Sequence, residues 1–264
     1  MEQSIFETLH YFARFQYPPT YADVHRYMPV LISEFALQQE LARLQAAGAL
    51  HIEQERIFLL DRNYEGFFVR KQASEELLQY ARSYLTNLEY IPTIELIGIS
   101  GSMSMANGNS LDDIDLFIIT RSNAIWLTRF LVLIYKRLLM LVNYKIASKL
   151  CFNLFFSENG LKIPKEKQNL YVGHELLQLK VIYNKSGTYN RLLTENSWVN
   201  DLLPNARIRF ETITSIDSKN QKSIYYIEKV LGTIQKWWLR ARRYTYREQD
   251  GQLWLIQKDW SMEE

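Results

Sequence analysis

The chain has 264 residues, of which 47% are hydrophobic and 23% charged, with only ten glycines and six prolines. That length supports one large domain or two to three small ones with real cores, and the composition excludes a linker-rich or disordered chain. The formal charge of +2 points to no class of partner, and the single cysteine, Cys151, excludes an intrachain disulfide and argues against a cysteine-based zinc site.

In chain order, Ile5, Phe6, Leu9 and Phe12 recur at helical spacing over residues 3–15, and Pro18-Pro19 then breaks the chain. The opening Met1-Glu2-Gln3-Ser4 lacks the basic and apolar regions of a signal peptide. Thr20 followed by Asp23 has the form of a capping box opening a second helix that ends near Pro29. A third helix is expected from Ser33 to about Gly48, with Leu37, Leu41 and Leu44 on one side. Residues 49–52 and 56–60 read as two short strands around the polar Glu53-Gln54-Glu55.

Three helices and a β-hairpin over residues 1–62 resemble a winged helix-turn-helix. The resemblance implies DNA binding through the third helix, but the residues disfavour it. Glu34 and Glu40 face only Arg43 there, and Glu53 and Glu55 face Arg56 in the hairpin, whereas phosphate contacts need clustered Lys or Arg. A packing or protein-contact role is expected instead.

A helix over residues 74–88 follows, with Leu77, Leu78, Ala81 and Leu85 inward. After Pro92, residues 94–99 read as a buried strand running into the sharp turn Ser100-Gly101-Ser102. Asn107-Gly108-Asn109-Ser110 marks a loop, and residues 113–119 form a second strand with two carboxylates at its start. Positions two apart on a strand share a face, so Asp113 and Asp115 project together, roughly 7 Å apart at Cα. Carboxylates placed so repel unless a cation joins them, and hard oxygen ligands suit Mg²⁺. Gly101 lets backbone approach closely, and its amide with the Ser102 hydroxyl can hold phosphate oxygens. Asp112 faces the other way and is read as a loop cap.

Gly101-Ser102, ten residues, then Asp113-Ile114-Asp115-Leu116 resembles the signature of the DNA polymerase β-type nucleotidyltransferase superfamily, over about 25 residues. The resemblance implies an α+β fold: a central nucleotidyltransferase mixed sheet with flanking helices over residues 63–160. It also implies that Ser100, Gly101 and Ser102 bind a nucleoside triphosphate and that Asp113 and Asp115 hold Mg²⁺, as two ions with the nucleotide. The superfamily usually places a third carboxylate on a further strand. In the candidate strand, residues 149–156, the inward polar residue is Asn153, whose amide can coordinate a metal but cannot accept a proton. Either the two acids and Asn153 form the catalytic set, or the site is weakened. Glu175 is a distant substitute, although a Glu at a helix start also simply favours the dipole.

Residues 124–142 are strongly apolar but carry Arg129, Lys136 and Arg137, so they are expected to form a buried amphipathic helix rather than a membrane span. Arg129, nearest the strand end, is the expected phosphate contact among the three. The last third, 161–264, reads as helical and ends in a long basic, aromatic helix. Between Lys219 and Arg247 eight Lys or Arg stand against one acid, Glu228. Lys229, Lys236, Arg240, Arg243 and Arg247 align as a stripe, either a solvated face or a seat for an anionic acceptor, with Leu231, Ile234, Trp238 and Ala241 on the buried side. Four histidines, 10, 25, 51 and 174, lack metal-ligand spacing.

The expectation is thus a cytoplasmic nucleotidyltransferase with no membrane partner, moving a nucleoside monophosphate onto an acceptor hydroxyl of RNA, protein or a small molecule. The rival expectation is a catalytically weak or inactive relative acting as a nucleotide- or nucleic-acid-binding regulator or scaffold.

Overall fold

The computed structural model describes residues 1–109, 111–206 and 221–255, with side chains from 225 onward in the last segment. Lys219 lies outside them, as do the side chain of Lys222 and the loop residue Ser110.

Three helices, α1 (Glu2–Ala13), α2 (Tyr21–Tyr27) and α3 (Glu34–Ala46), open the chain. The capping box at α2 forms as expected: Asp23 N donates to Thr20 Oγ1 (3.1 Å), and Thr20 N donates to the Asp23 carboxylate (2.9 Å). Strands β1 (Leu50–Glu53) and β2 (Arg56–Leu59) pair antiparallel through Gln54 and Glu55, both at positive φ, as a two-residue hairpin turn demands. Ile5, Leu9, Val24, Leu37, Leu41, Ile57 and Leu59 enclose a small core of their own.

Helix α4 (Phe67–Thr86) starts seven residues earlier than the leucine spacing suggested, after Gly66 in the left-handed region. The next elements are β3 (Ile94–Ile99), the single turn α5 (Gly101–Ser104), β4 (Ile114–Thr120), α6 (Ile125–Val142), α7 (Tyr144–Lys149) and β5 (Leu150–Ser157). Then come α8 (Leu170–Gln178), β6 (Lys180–Asn184), α9 (Thr188–Glu195), α10 (Val199–Leu202), α11 (Gln221–Ala241), β7 (Tyr246–Gln249) and β8 (Gln252–Leu255). The fold is α+β, with one mixed six-stranded sheet in the order β6-β3-β4-β5-β8-β7. Only β4 and β5 run parallel, joined by the α6–α7 crossover, and the other neighbours are antiparallel.

Residues beyond 160 therefore do not form a helical region alone. They supply β6 on one side of the sheet and β8 and β7 on the other. These strands are four or five residues long, too short for a period-two signal to stand out.

Alternation along β4 divides the core. Ile114, Leu116 and Ile118 face a layer made by α4, α6, α7 and α11, while Phe117 and Ile119 face α8, α9 and α10. Helix α11 lies on α6 through Gly232, Gln235 and Leu239, whereas Ile234, Trp238 and Ala241, expected inside, are exposed. Glu228 explains the rotation: its carboxylate accepts from Trp126 N and Leu127 N, both at 2.8 Å, and so caps the N-terminus of α6. Gly232 lets Trp126 approach to within 3.0 Å of where a Cβ would stand. The basic stripe is broken as well, since Arg243 lies past the helix at positive φ and Arg247 belongs to β7.

Candidate active site

The site starts where β3 ends. Ser100 N donates to the backbone carbonyl of Asp115 (3.0 Å), fixing the turn against the start of β4. Gly101 then takes φ +65°, and a Cβ there would sit 3.3 Å from Asp115 Oδ2. Both the left-handed backbone and the close carboxylate favour glycine at this position. Asp113 lies just ahead of β4 and is exposed, while Asp115, on the strand, is half-buried. Burial, and then the charge of Asp113, pushes the Asp115 carboxyl up to about 6.

The following loop is held from several sides. Asp112 accepts from Asn109 N (2.9 Å) and lies 3.5 Å from Ser102 Oγ, the loop-cap role expected of it. Buried Ser74 of α4 accepts from Gly108 N (2.9 Å) and donates to Gly108 O (2.8 Å). Asn107 donates to Phe15 O and accepts from Arg70 Nε, and Arg70 also donates to Gln16 O. The end of α1 is thereby joined to the loop that follows Ser102.

Asn153 reaches the site through a break in register. Leu116 pairs with Phe152 and Phe117 with Leu154, so Asn153 is an extra residue in β5. The bulge turns its amide toward Asp115, whose Oδ1 accepts from Asn153 Nδ2 at 2.8 Å. The Asn153 carbonyl in turn accepts from the Cys151 thiol at 3.0 Å.

These groups line a cavity of about 900 Å³, together with Tyr11, Phe15 and Tyr17 of the N-terminal unit and with Arg70, Lys167 and Trp254. A smaller cavity of about 360 Å³ between α6, α11 and the β7–β8 hairpin holds Lys229 and Lys236 but neither the Gly-Ser turn nor the Asp pair. Ser100, Gly101, Ser102, Asp113, Asp115 and Asn153 are thus brought together in the larger cavity.

Arg129 is not brought to it. Its side chain is buried in the opposite layer, where Nη1 donates to Gln235 Oε1 (2.5 Å) and Nε has no partner among the described residues. Burial lowers its pKa to about 10. The helix after β4 packs on the far side of the sheet from Asp115, so closeness in sequence does not become closeness in space. Among the cations, Arg70 and Lys167 line the cavity instead.

Glu175 does belong to the site. It lies in the middle of α8, not at a helix start, and accepts from Gly101 N at 3.2 Å and from Gln178 Nε2. The glycine amide expected to hold phosphate is therefore engaged by a carboxylate. Burial first, and Asp115 after it, raises Glu175 to about 7. The sequence signal was a carboxylate on the apolar face of a short helix, between Val172 and Leu179. The neighbouring His174 is stacked between Tyr11 (centroids 4.0 Å apart) and Tyr27 (4.2 Å), and burial lowers it to about 3.

Among the described residues no group of three or more His, Cys, Asp or Glu side chains is arranged to hold a metal ion, and no helix is long and apolar enough to cross a membrane. The chain matches no protein-family model and no curated protein.

Proposed function

We propose that the chain is a nucleotidyltransferase of the DNA polymerase β type, moving a nucleoside monophosphate from a nucleoside triphosphate to an acceptor hydroxyl. One observation carries this reading: the Gly101-Ser102 turn is bonded through Ser100 to the backbone of Asp115, and turn, Asp113 and Asp115 open onto one large cavity.

The donor set fits Mg²⁺. Asp113 and Asp115 repel each other with no Lys or Arg paired to either among the described residues, and with only two carboxylates the remaining ligands must come from water and phosphate oxygens, as Mg²⁺ prefers. When bound with the triphosphate at Asp113 and Asp115, Mg²⁺ (two ions) supplies charge neutralisation of the phosphates. The protein's own part is positioning. Ser102 Oγ holds phosphate oxygens, the positive charge of Arg70 and Lys167 in the cavity wall attracts them, and Asn153 fixes the carboxylate of Asp115 by donating to it.

The winged-helix-like unit serves in this reading as a wall of the cavity and not as a DNA reader. Arg43 is paired with Glu2 and Glu40, and Arg56 turns inward to Pro18 O and lies over the rings of Tyr17 and Phe67. Neither cation is presented for phosphate contact. RNA, protein and small molecules all remain acceptor classes for the assay to separate.

The rival reading, a weak or inactive transferase fold acting as regulator or scaffold, draws on Asn153, an amide where an acid would accept a proton. Incubation with each α-labelled triphosphate and Mg²⁺ or Mn²⁺ separates the two. Nucleotidyl transfer is expected from the wild type and should vanish in Asp113→Asn/Asp115→Asn. Equal activity in both proteins rejects the site, and no transfer by wild type to RNA, protein or small alcohols favours the scaffold.

A further inference from the structure

Transfer to a hydroxyl needs a group that takes the hydroxyl's proton as its oxygen attacks phosphorus. The cavity offers few. Asn153 cannot accept a proton, and Asp112 faces the loop, where its Oδ2 takes both Asn109 N and Ser102 Oγ. Cys151 donates to Asn153, and burial pushes its thiol up to about 11. Burial pushes the phenols of Tyr11 and Tyr17 above their ordinary range, so they stay protonated. With Asp113 and Asp115 assigned to the cation and Asp112 to the loop, Glu175 is the carboxylate that stands against the turn itself, at Gly101.

That carboxylate is held in place. Glu175 stands on α8, whose Leu176 and Leu177 are locked in the core, and Gln178 and Gly101 N both donate to it. Asp115 and Glu175 flank the same glycine: one lies 3.3 Å from its Cβ position and the other 3.2 Å from its amide nitrogen. The second carboxylate thus reaches the reacting region from a helix, on the side of Asp115 away from the Asn153 strand.

Resting on the nucleotidyl-transfer reading, we propose that Glu175 is the catalytic residue that accepts the proton of the acceptor hydroxyl. As the O–H bond breaks, the proton passes to the Glu175 carboxylate, and the freed oxygen electron pair forms a bond to the α-phosphorus. The bond from that phosphorus to the oxygen bridging to the β-phosphate breaks, and this oxygen leaves with the bonding pair as pyrophosphate. The proton on Glu175 is returned to solvent.

The test uses pyrophosphate release from ATP, GTP, CTP and UTP with Mn²⁺, which registers any acceptor including water, in wild type, Glu175→Gln, Glu175→Asp, Asn153→Asp and the double variant Asn153→Asp/Glu175→Gln. Binding of α,β-methylene-ATP is measured alongside. E175Q is expected to lose roughly 10²- to 10⁴-fold in release, while binding α,β-methylene-ATP within about threefold of wild type. E175D should retain more activity than E175Q. Asn153→Asp, by placing an acid on the other side of Asp115, should restore at least about tenfold in the E175Q background. A merely structural Glu175 would not be rescued from β5. Release by E175Q at half the wild-type rate or more, parallel loss of α,β-methylene-ATP binding, or no rescue in a double variant that still binds it, each overturns the role of Glu175 alone. No release by wild type from any of the four triphosphates removes nucleotidyl transfer itself, and this role with it.

Discussion

The two faces of the sheet around β4 treat charge in opposite ways. On the face toward α8, Asp115, Asp113 and Glu175 meet at an open cavity and neither Asp is paired with a cation. On the face toward α6 and α11, the buried cation Arg129 has, among the described residues, the Gln235 amide as its side-chain hydrogen-bond partner. The first arrangement leaves unneutralised charge where a cation and its ligand can enter; the second shuts a cation into packed side chains where nothing can reach it. An ionisable group beside β4 meets the cavity or the packed core according to the face it lands on, not its distance along the chain.

The largest expected effect tests the open face. Asp115→Asn should reduce transfer by about 10³-fold or more, the scale of losing transition-state charge stabilisation, yet melt at or above the wild-type temperature at pH 7 in calorimetry. The carboxyl it replaces is one whose ionised form burial disfavours. A large drop in melting temperature would show that the Asp115 charge holds the fold together, and the contrast between the faces would fail.

Arg129→Ala tests the closed face. It should cost about 2–3 kcal/mol in denaturant unfolding, from the cavity left and the Gln235 carbonyl stripped of its donor. Triphosphate affinity should stay within about twofold, as expected for a side chain remote from the ligand. A tenfold loss of affinity with unchanged stability would return Arg129 to the site.

A pH series separates the faces further. Glu175 has its folded pKa raised above its ordinary value, so the stability it contributes is fully present below about pH 4.5 and is lost as pH rises through about 7. Without divalent ions, wild type should lose about 3 kcal/mol relative to Glu175→Gln between pH 4.5 and 8, at about 1.4 kcal/mol per pKa unit. His174, lowered by burial, works in the other direction, losing stability as pH falls from its ordinary range. Both proteins carry it, so it cancels in the difference. Parallel stability curves would place Glu175 in solvent. The smallest effect is expected from Ser102→Ala, about tenfold weaker triphosphate binding for one lost charge-assisted hydrogen bond, read by titration calorimetry.

Much of the site was legible because it is local. The buried run 94–99, the small residues at 100–102 and the alternation from Asp113 onward each carry a short-range signal, and β3, the turn and β4 follow them to within a residue. Asn153 was legible too, although its turn toward Asp115 depends on a β5 bulge that no residue type announces. The capping box at Thr20 and the hairpin after it were likewise readable. The buried side of α11 was not. Apolar spacing chose Ile234 and Trp238, while the helix in fact seats Glu228, Gly232 and Gln235 on the end of α6, where backbone amides reward polar partners.

By itself the sequence determined the strand–turn–strand unit and the paired acids, because strand alternation and glycine conformation act over a few residues. Tertiary structure alone decided that Arg129 leaves the site, that Glu175 enters it across 74 residues, and that the last third closes both sides of the sheet. Those outcomes depend on which face each helix packs, a choice made by distant side chains competing for the same buried surface.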